Sequence, residues 1–269
     1  MIGRLLLLGM IAGLMAGILA FGVGKVWGEP SVAAAIAIEE AGSAAEPMAE
    51  VAHDHAQAEA TTAESASEPA GHSHGDDEAG ISRATQAGIG LLTGMAVFGA
   101  GLGGLFALAF ALVQNRFSHL PAQATAAAMA LIGYVTVVLV PFLKYPANPP
   151  AVGHGETIGL RTQMFFVMVL LSLIAMIVAV AVARPGQDRW RSAVLGGVAY
   201  LVLMVAAGMV LPGINEVPAD FPGDLLWQFR TISLIVQATL WAGIGLLFGL
   251  LVERFMPIPA SGGRMMARS

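Results

Sequence analysis

The chain contains no cysteine. That excludes disulfides, thiolate metal sites and cysteine nucleophiles, and leaves imidazole, carboxylate, carbonyl and thioether groups as metal ligands. Charge is also scarce. Asp, Glu, Lys and Arg make up 12% of 269 residues, too few to cover the surface of a water-soluble domain of this length. No Asp, Glu, Lys, Arg or His falls near the centre of any long apolar run. Such residues mark ion paths inside membranes, so their absence argues against a proton relay and a charged midplane site. G-x-x-x-x-G-K-[ST], H-E-x-x-H and G-x-S-x-G are all missing, so nothing points to ATP hydrolysis or to an enzyme. No basic cluster invites nucleic acid.

What remains is apolar. Hydrophobic residues form 57% of the chain and mean hydropathy is +0.75. Six runs are long enough to cross a bilayer as helices: Leu5–Trp27, Gln86–Val113, Ala122–Phe142, Met164–Ala183, Trp190–Leu211 and Thr231–Val252. The expected fold is all-α, a polytopic transmembrane bundle of about six spans. A β-barrel would show alternating segments of about ten residues instead. The first run is longer than a signal-peptide core and no A-x-A site ends it, so it is expected to be a retained helix. The domains follow: a first helix (1–28), an extramembrane loop (29–80), a five-helix bundle (81–255) with ordered loops at 144–163 and 212–230, and a tail (256–269).

Basic residues set the orientation. With the N-terminus inside, Arg4, Arg116, Arg184, Arg189, Arg191, Arg254, Arg264 and Arg268 lie inside, while Lys25, Arg83, Lys144, Arg161 and Arg230 lie outside. Both termini are then cytoplasmic, in a multi-pass protein of the inner (cytoplasmic) membrane, and the 29–80 loop faces out. Trp27, Trp190 and Trp227 fall at span ends, as an aromatic belt requires. Small residues recur every four positions: Gly9, Gly13 and Gly17; Gly90 and Gly94; Gly99 and Gly103; Gly245 and Gly249. Such faces let helices approach closely within one bundle; the sharper alternative is a homo-oligomer joined through one of them. Thr93, Tyr134, Thr136, Ser172, Tyr200, Gln237 and Thr239 supply the central polar groups. They read as interhelical hydrogen-bonders before substrate ligands, and scattered Met reads as gap filling before a Cu(I) path.

The loops carry the chemistry. Residues 29–80 hold twelve acidic side chains, four histidines and no Lys or Arg. Pro30–Ala41 has Pro at a helix N1 position followed by strong helix formers, so a short helix is expected there. Beyond it, Ala, Glu, Ser, Thr, Gly and His offer nothing large to bury, and disorder is expected. The histidines form two H-x-H pairs, His53 with His55 and His72 with His74. Neutral imidazole beside carboxylate suits divalent Co, Ni or Zn, so these four are the candidate metal ligands. Drawing the pairs together closes about 16 residues and costs roughly 2.5 kcal/mol, less than a few coordinate bonds return. The competing reading is a solubilising acidic linker. The loops at 144–163 and 212–230 are rich in Pro and Gly, which suggests fixed turns. They could present His154, Glu156, Glu216, Asp220 and Asp224 to a cation, or those carboxylates could simply neutralise Arg161 and Arg230. The second, fourth and sixth spans each open on an arginine beside a threonine: Arg83 and Thr85, Arg161 and Thr162, Arg230 and Thr231.

Several segments together resemble CbtA, a family of predicted cobalt transporter subunits. They are the R-x-L-L-L opening, EPSVAAAIAIEEA, GHSHGDDEAGISRATQAGIG, YVTVVLVPFLKYPANPPAVGHGETIGLRT and LPGINEVPADFPGDLLWQFR. The resemblance implies an integral membrane component of cobalt uptake, associated with cobalamin supply, beside a small single-span partner subunit with its own His motif. The expected ligand is a transported or captured divalent cation, Co²⁺ ahead of Ni²⁺ or Zn²⁺, with no permanently bound cofactor. The alternative function is a metal-binding accessory or sensor membrane protein that does not itself transport.

Overall fold

The computed structural model describes residues 2–54, 82–114, 120–153, 155–183 and 188–256. These form α1 (Ile2–Val23), α2 (Glu29–Asp54), α3 (Arg83–Thr85), α4 (Leu91–Val113), α5 (Ala122–Gly133), α6 (Val140–Lys144), α7 (Ile158–Val182), α8 (Arg189–Val210) and α9 (Gly223–Phe255). Three wider π-helical turns, Gly24–Gly28, Gln86–Gly90 and Tyr134–Leu139, splice α1 to α2, α3 to α4 and α5 to α6. Six helical stretches among the described residues are long and apolar enough to cross a membrane. The chain is thus a polytopic helical membrane protein, as the hydropathy pattern requires. Leu7, Val97, Leu105, Leu170, Ile177 and Leu201 stand exposed, a surface at home only in lipid.

Local chemistry explains several helix starts. Ser82 caps α3 by accepting from the Thr85 amide, and Asp188 caps α8 by accepting from the Trp190 amide. Pro141 near the start of α6 has no N–H to give the preceding turn, and the Val140 amide reaches back to the Val135 carbonyl. That accommodates the wide turn just before it. The helix expected over 30–41 instead runs on to Asp54.

The glycine faces pack within the bundle. Gly9, Gly13 and Gly17 of α1 lie against the backbone of Gly103, Gly99 and Met95 of α4, so close that a Cβ on any of them would strike a carbonyl oxygen. Gly245 and Gly249 of α9 lie against the Ala130 methyl group and the Gln123 Cα of α5, whereas Gly94 faces open space. α1 is held between α4 and α9, and α9 also packs on α5. Their shared core holds Ala12, Ala16, Phe106, Phe110, Ile244 and Phe248, with both Phe106 and Phe110 edge-on to Phe248. A second core, of Tyr145, Met168, Ala175 and Met204, joins α7 and α8 to the α6 region. Across it Ser172 and Tyr200 hydrogen-bond at 2.7 Å. Tyr134 donates to the Leu234 carbonyl of α9 at 3.3 Å, while Thr136 and Thr239 bond back to their own helices.

Candidate functional site

The end of the bundle that carries α2 and the two Pro-rich loops, termed the loop end below, encloses a cavity of about 1270 Å³. Six waters at about 30 Å³ each take roughly 180 Å³, so it is several times larger than a hydrated dication needs. All three π-helical turns contribute to its wall, through Gly24 and Gly28, Gln86, and Val137 and Val138. Wide turns of this kind recur at functional sites because they redirect the side chains after them.

The loops close around this cavity as ordered structure. The Tyr145 hydroxyl donates to the Pro212 carbonyl at 2.8 Å, tying one loop to the other. Burial pushes the Tyr145 phenol up from its usual range, which keeps this donor protonated. A small core of Ala35, Val152 and Phe221, backed by Val217 and Leu225, binds α2, both loops and the start of α9. Ser31 donates to the Gly28 carbonyl at 2.7 Å and is buried where α2 leaves the wide turn.

The three arginines that open alternate spans all line this one cavity. Arg83 pairs with Glu29 at the foot of α2. The Arg161 Nε sits 3.3 Å from Glu216 Oε2, close enough for attraction but off line for a hydrogen bond. Its guanidinium lies over Gly153, whose φ of +113° suits glycine and where a Cβ would overlap the arginine. Arg230 differs. Its Nε donates to the Ala147 carbonyl at 3.3 Å and its Nη2 to Asn148 Oδ1 at 3.0 Å. Neutralisation by a loop carboxylate, the alternative weighed for Arg161 and Arg230, thus holds for Arg161, while Arg230 is held by neutral oxygens. Below this rim the wall is apolar, with Phe142, Phe165, Val169 and Trp241, and Gln237 is the polar group at depth.

Glu216 lines the cavity, its side chain almost wholly buried against Arg161. Glu156, Asp220 and Asp224 are exposed and do not line it. His53 falls on the backbone of α2 one residue before its end. His55, His72, His74 and His154 lie outside the described residues. Among the described residues no three His, Asp or Glu side chains gather as a metal cage. Glu29, Asn148 and Gly153 were not singled out from the sequence. The recurring arginines were the available signal, because each needs an acceptor and each found one on a different loop or helix.

Searches among curated proteins and among solved structures each found no match to the chain. A family model does match. The setting is an apolar six-span bundle with a cavity at its loop end, and the model described as "Probable cobalt transporter subunit (CbtA)" covers residues 2–253, so the chain belongs to the CbtA family.

Proposed function

We propose that this cobalt transporter subunit captures its dication on the acidic histidine segment and delivers it to the loop-end cavity, with that end facing out of the cytoplasm. The observation that carries the reading is α2. Its 26 residues rise from Glu29 on the cavity rim to His53 and Asp54, a stalk of about 39 Å at 1.5 Å per residue. It is anchored at its foot, where Ala35 packs on Val152 and Phe221. The stalk joins the two H-x-H pairs and the acidic side chains of residues 29–80 to the cavity rim in one continuous stretch of chain. Electrostatic concentration of cations and brief imidazole ligation follow from that composition. His53, His55, His72 and His74 are the proposed capture ligands. Glu216 is the proposed carboxylate met at the cavity; His154, Glu156, Asp220 and Asp224 are proposed as contacts on the way.

Deleting Val51–Gly75 from the full chain and measuring cobalt uptake in cells tests the capture step. Uptake at nanomolar metal should fall while uptake at high metal persists. Unchanged uptake across the whole concentration range would sink the reading. A second reading, an accessory or sensor protein serving a separate permease, is favoured by the uncharged span centres. The purified chain reconstituted alone in liposomes separates the two: metal flux supports a permease, and binding without flux supports the accessory.

A further inference from the structure

Among the described residues that line it, the cavity carries more cationic than anionic side chains, an excess that a bound anion would neutralise before a cation arrives. Arg83, Arg161 and Arg230 line it against two carboxylates, Glu29 and Glu216. The carboxylates are engaged by Arg83 and Arg161. Arg230 makes its hydrogen bonds to a carbonyl and an amide oxygen, and among the described residues no carboxylate lies within ion-pair distance of it. A guanidinium so placed has donors and a full charge to offer an oxyanion.

Two further features specify the kind of anion. Beneath the arginines the wall is apolar, formed by Phe98, Leu102, Phe142, Phe165 and Val169. The cavity is also open on one side. α4 and α7 both contribute to the wall yet do not pack extensively against each other. Phe98 of α4 is 54% exposed and Phe166 of α7 is 63% exposed; both line the cavity. An arginine rim at headgroup level, an apolar shaft below it and a side door into the bilayer match one class of ligand.

We infer that this cavity binds an anionic phospholipid, its phosphodiester on Arg230 with Arg83 and Arg161 beside it, and its acyl chains passing between Phe98 and Phe166. The lipid enters laterally through the α4–α7 gap. One phosphodiester would bring the rim from a net charge of +1 to neutrality, so the site prefers lipids with net negative headgroups.

Trp241 lines the cavity and provides the reporter. In the full chain, Trp27, Trp190 and Trp227, all exposed, are replaced by Phe. Trp241 fluorescence is then titrated with phospholipids brominated on the acyl chains. Brominated phosphatidylglycerol should quench at about tenfold lower mole fraction than brominated phosphatidylcholine, the ratio expected for one charge-assisted hydrogen bond. Arg230→Gln should erase that preference and Arg230→Lys should keep part of it. Equal quenching by both lipids, or none by either, overturns the inference. Millimolar inorganic phosphate should leave the quenching in place, because the acyl chains hold the lipid; full displacement would assign the rim to free phosphate instead. If the triple replacement does not fold, native mass spectrometry of the unaltered chain reads the same preference. Retention of phosphatidylglycerol over phosphatidylcholine supports the site, and indifference removes it.

Discussion

Replacing Gly13 with Ala tests whether the contact between α1 and α4 is as close as the structure has it. A Cβ at Gly13 would fall on the carbonyl oxygen of Gly99 and against the Cα of Gly103. Both are backbone, so no side chain can swing aside and the helices must part. Separation withdraws Ala12 and Ala16, both fully buried, from their neighbours. In lipid no hydrophobic effect compensates, since van der Waals contact is what holds such helices together. Overpacking of this kind destabilises by about 1–3 kcal/mol. Gly101→Ala is the internal control. It lies on α4 with nothing within 4 Å of its added Cβ, and exchanging Gly for Ala in a helix gains roughly 0.5–1 kcal/mol. The propensity gain is common to both substitutions, so Gly13→Ala should be the less stable of the two by about 1–3 kcal/mol. Reversible unfolding in mixed micelles, followed by circular dichroism, measures both. Equal midpoints for Gly13→Ala and Gly101→Ala would refute the reasoning, because they would mean that the α1–α4 crossing has room to spare.

Two more outcomes are expected. Glu216→Gln removes the carboxylate from beside a mostly buried Arg161; it should destabilise by about 1–3 kcal/mol and weaken uptake at low metal. Adding Arg161→Gln should recover part of the stability, and a double-mutant cycle with no coupling would dismiss the pair. A peptide spanning residues 42–80 should bind Co²⁺ at neutral pH and lose it below about pH 6, because ligation needs neutral imidazole and protonation competes for the same nitrogen. Calorimetry showing no heat at any pH would leave the histidines without a metal role.

Hydropathy made the six spans legible because each must satisfy its own backbone in lipid and so declares itself locally. The four-residue spacing of Gly9, Gly13 and Gly17 was legible for a related reason: one helix face carries it. Arg83, Arg161 and Arg230 were visible as a rhythm, but their convergence on one cavity was not. The bond from Arg230 to Asn148 joins residues 82 positions apart, and no local pattern encodes such a separation. The wide turn at Tyr134–Leu139 was foreshadowed only by Pro141.

The division of the bundle into two cores has a mechanical corollary. α7 and α8 share their core with the α6 region and have no extensive packing on α1, α4 or α9. At the loop end the two bodies are strapped together by Arg230 on Asn148 and by the cluster of Ala35, Val152 and Phe221. The Tyr134–Leu139 turn adds a further link, packing on both α7 and α9. The α7–α8 hairpin is therefore joined to the rest of the bundle along one side only, through the Pro-rich loops and the third span, so a substitution in either core should leave the packing of the other largely undisturbed.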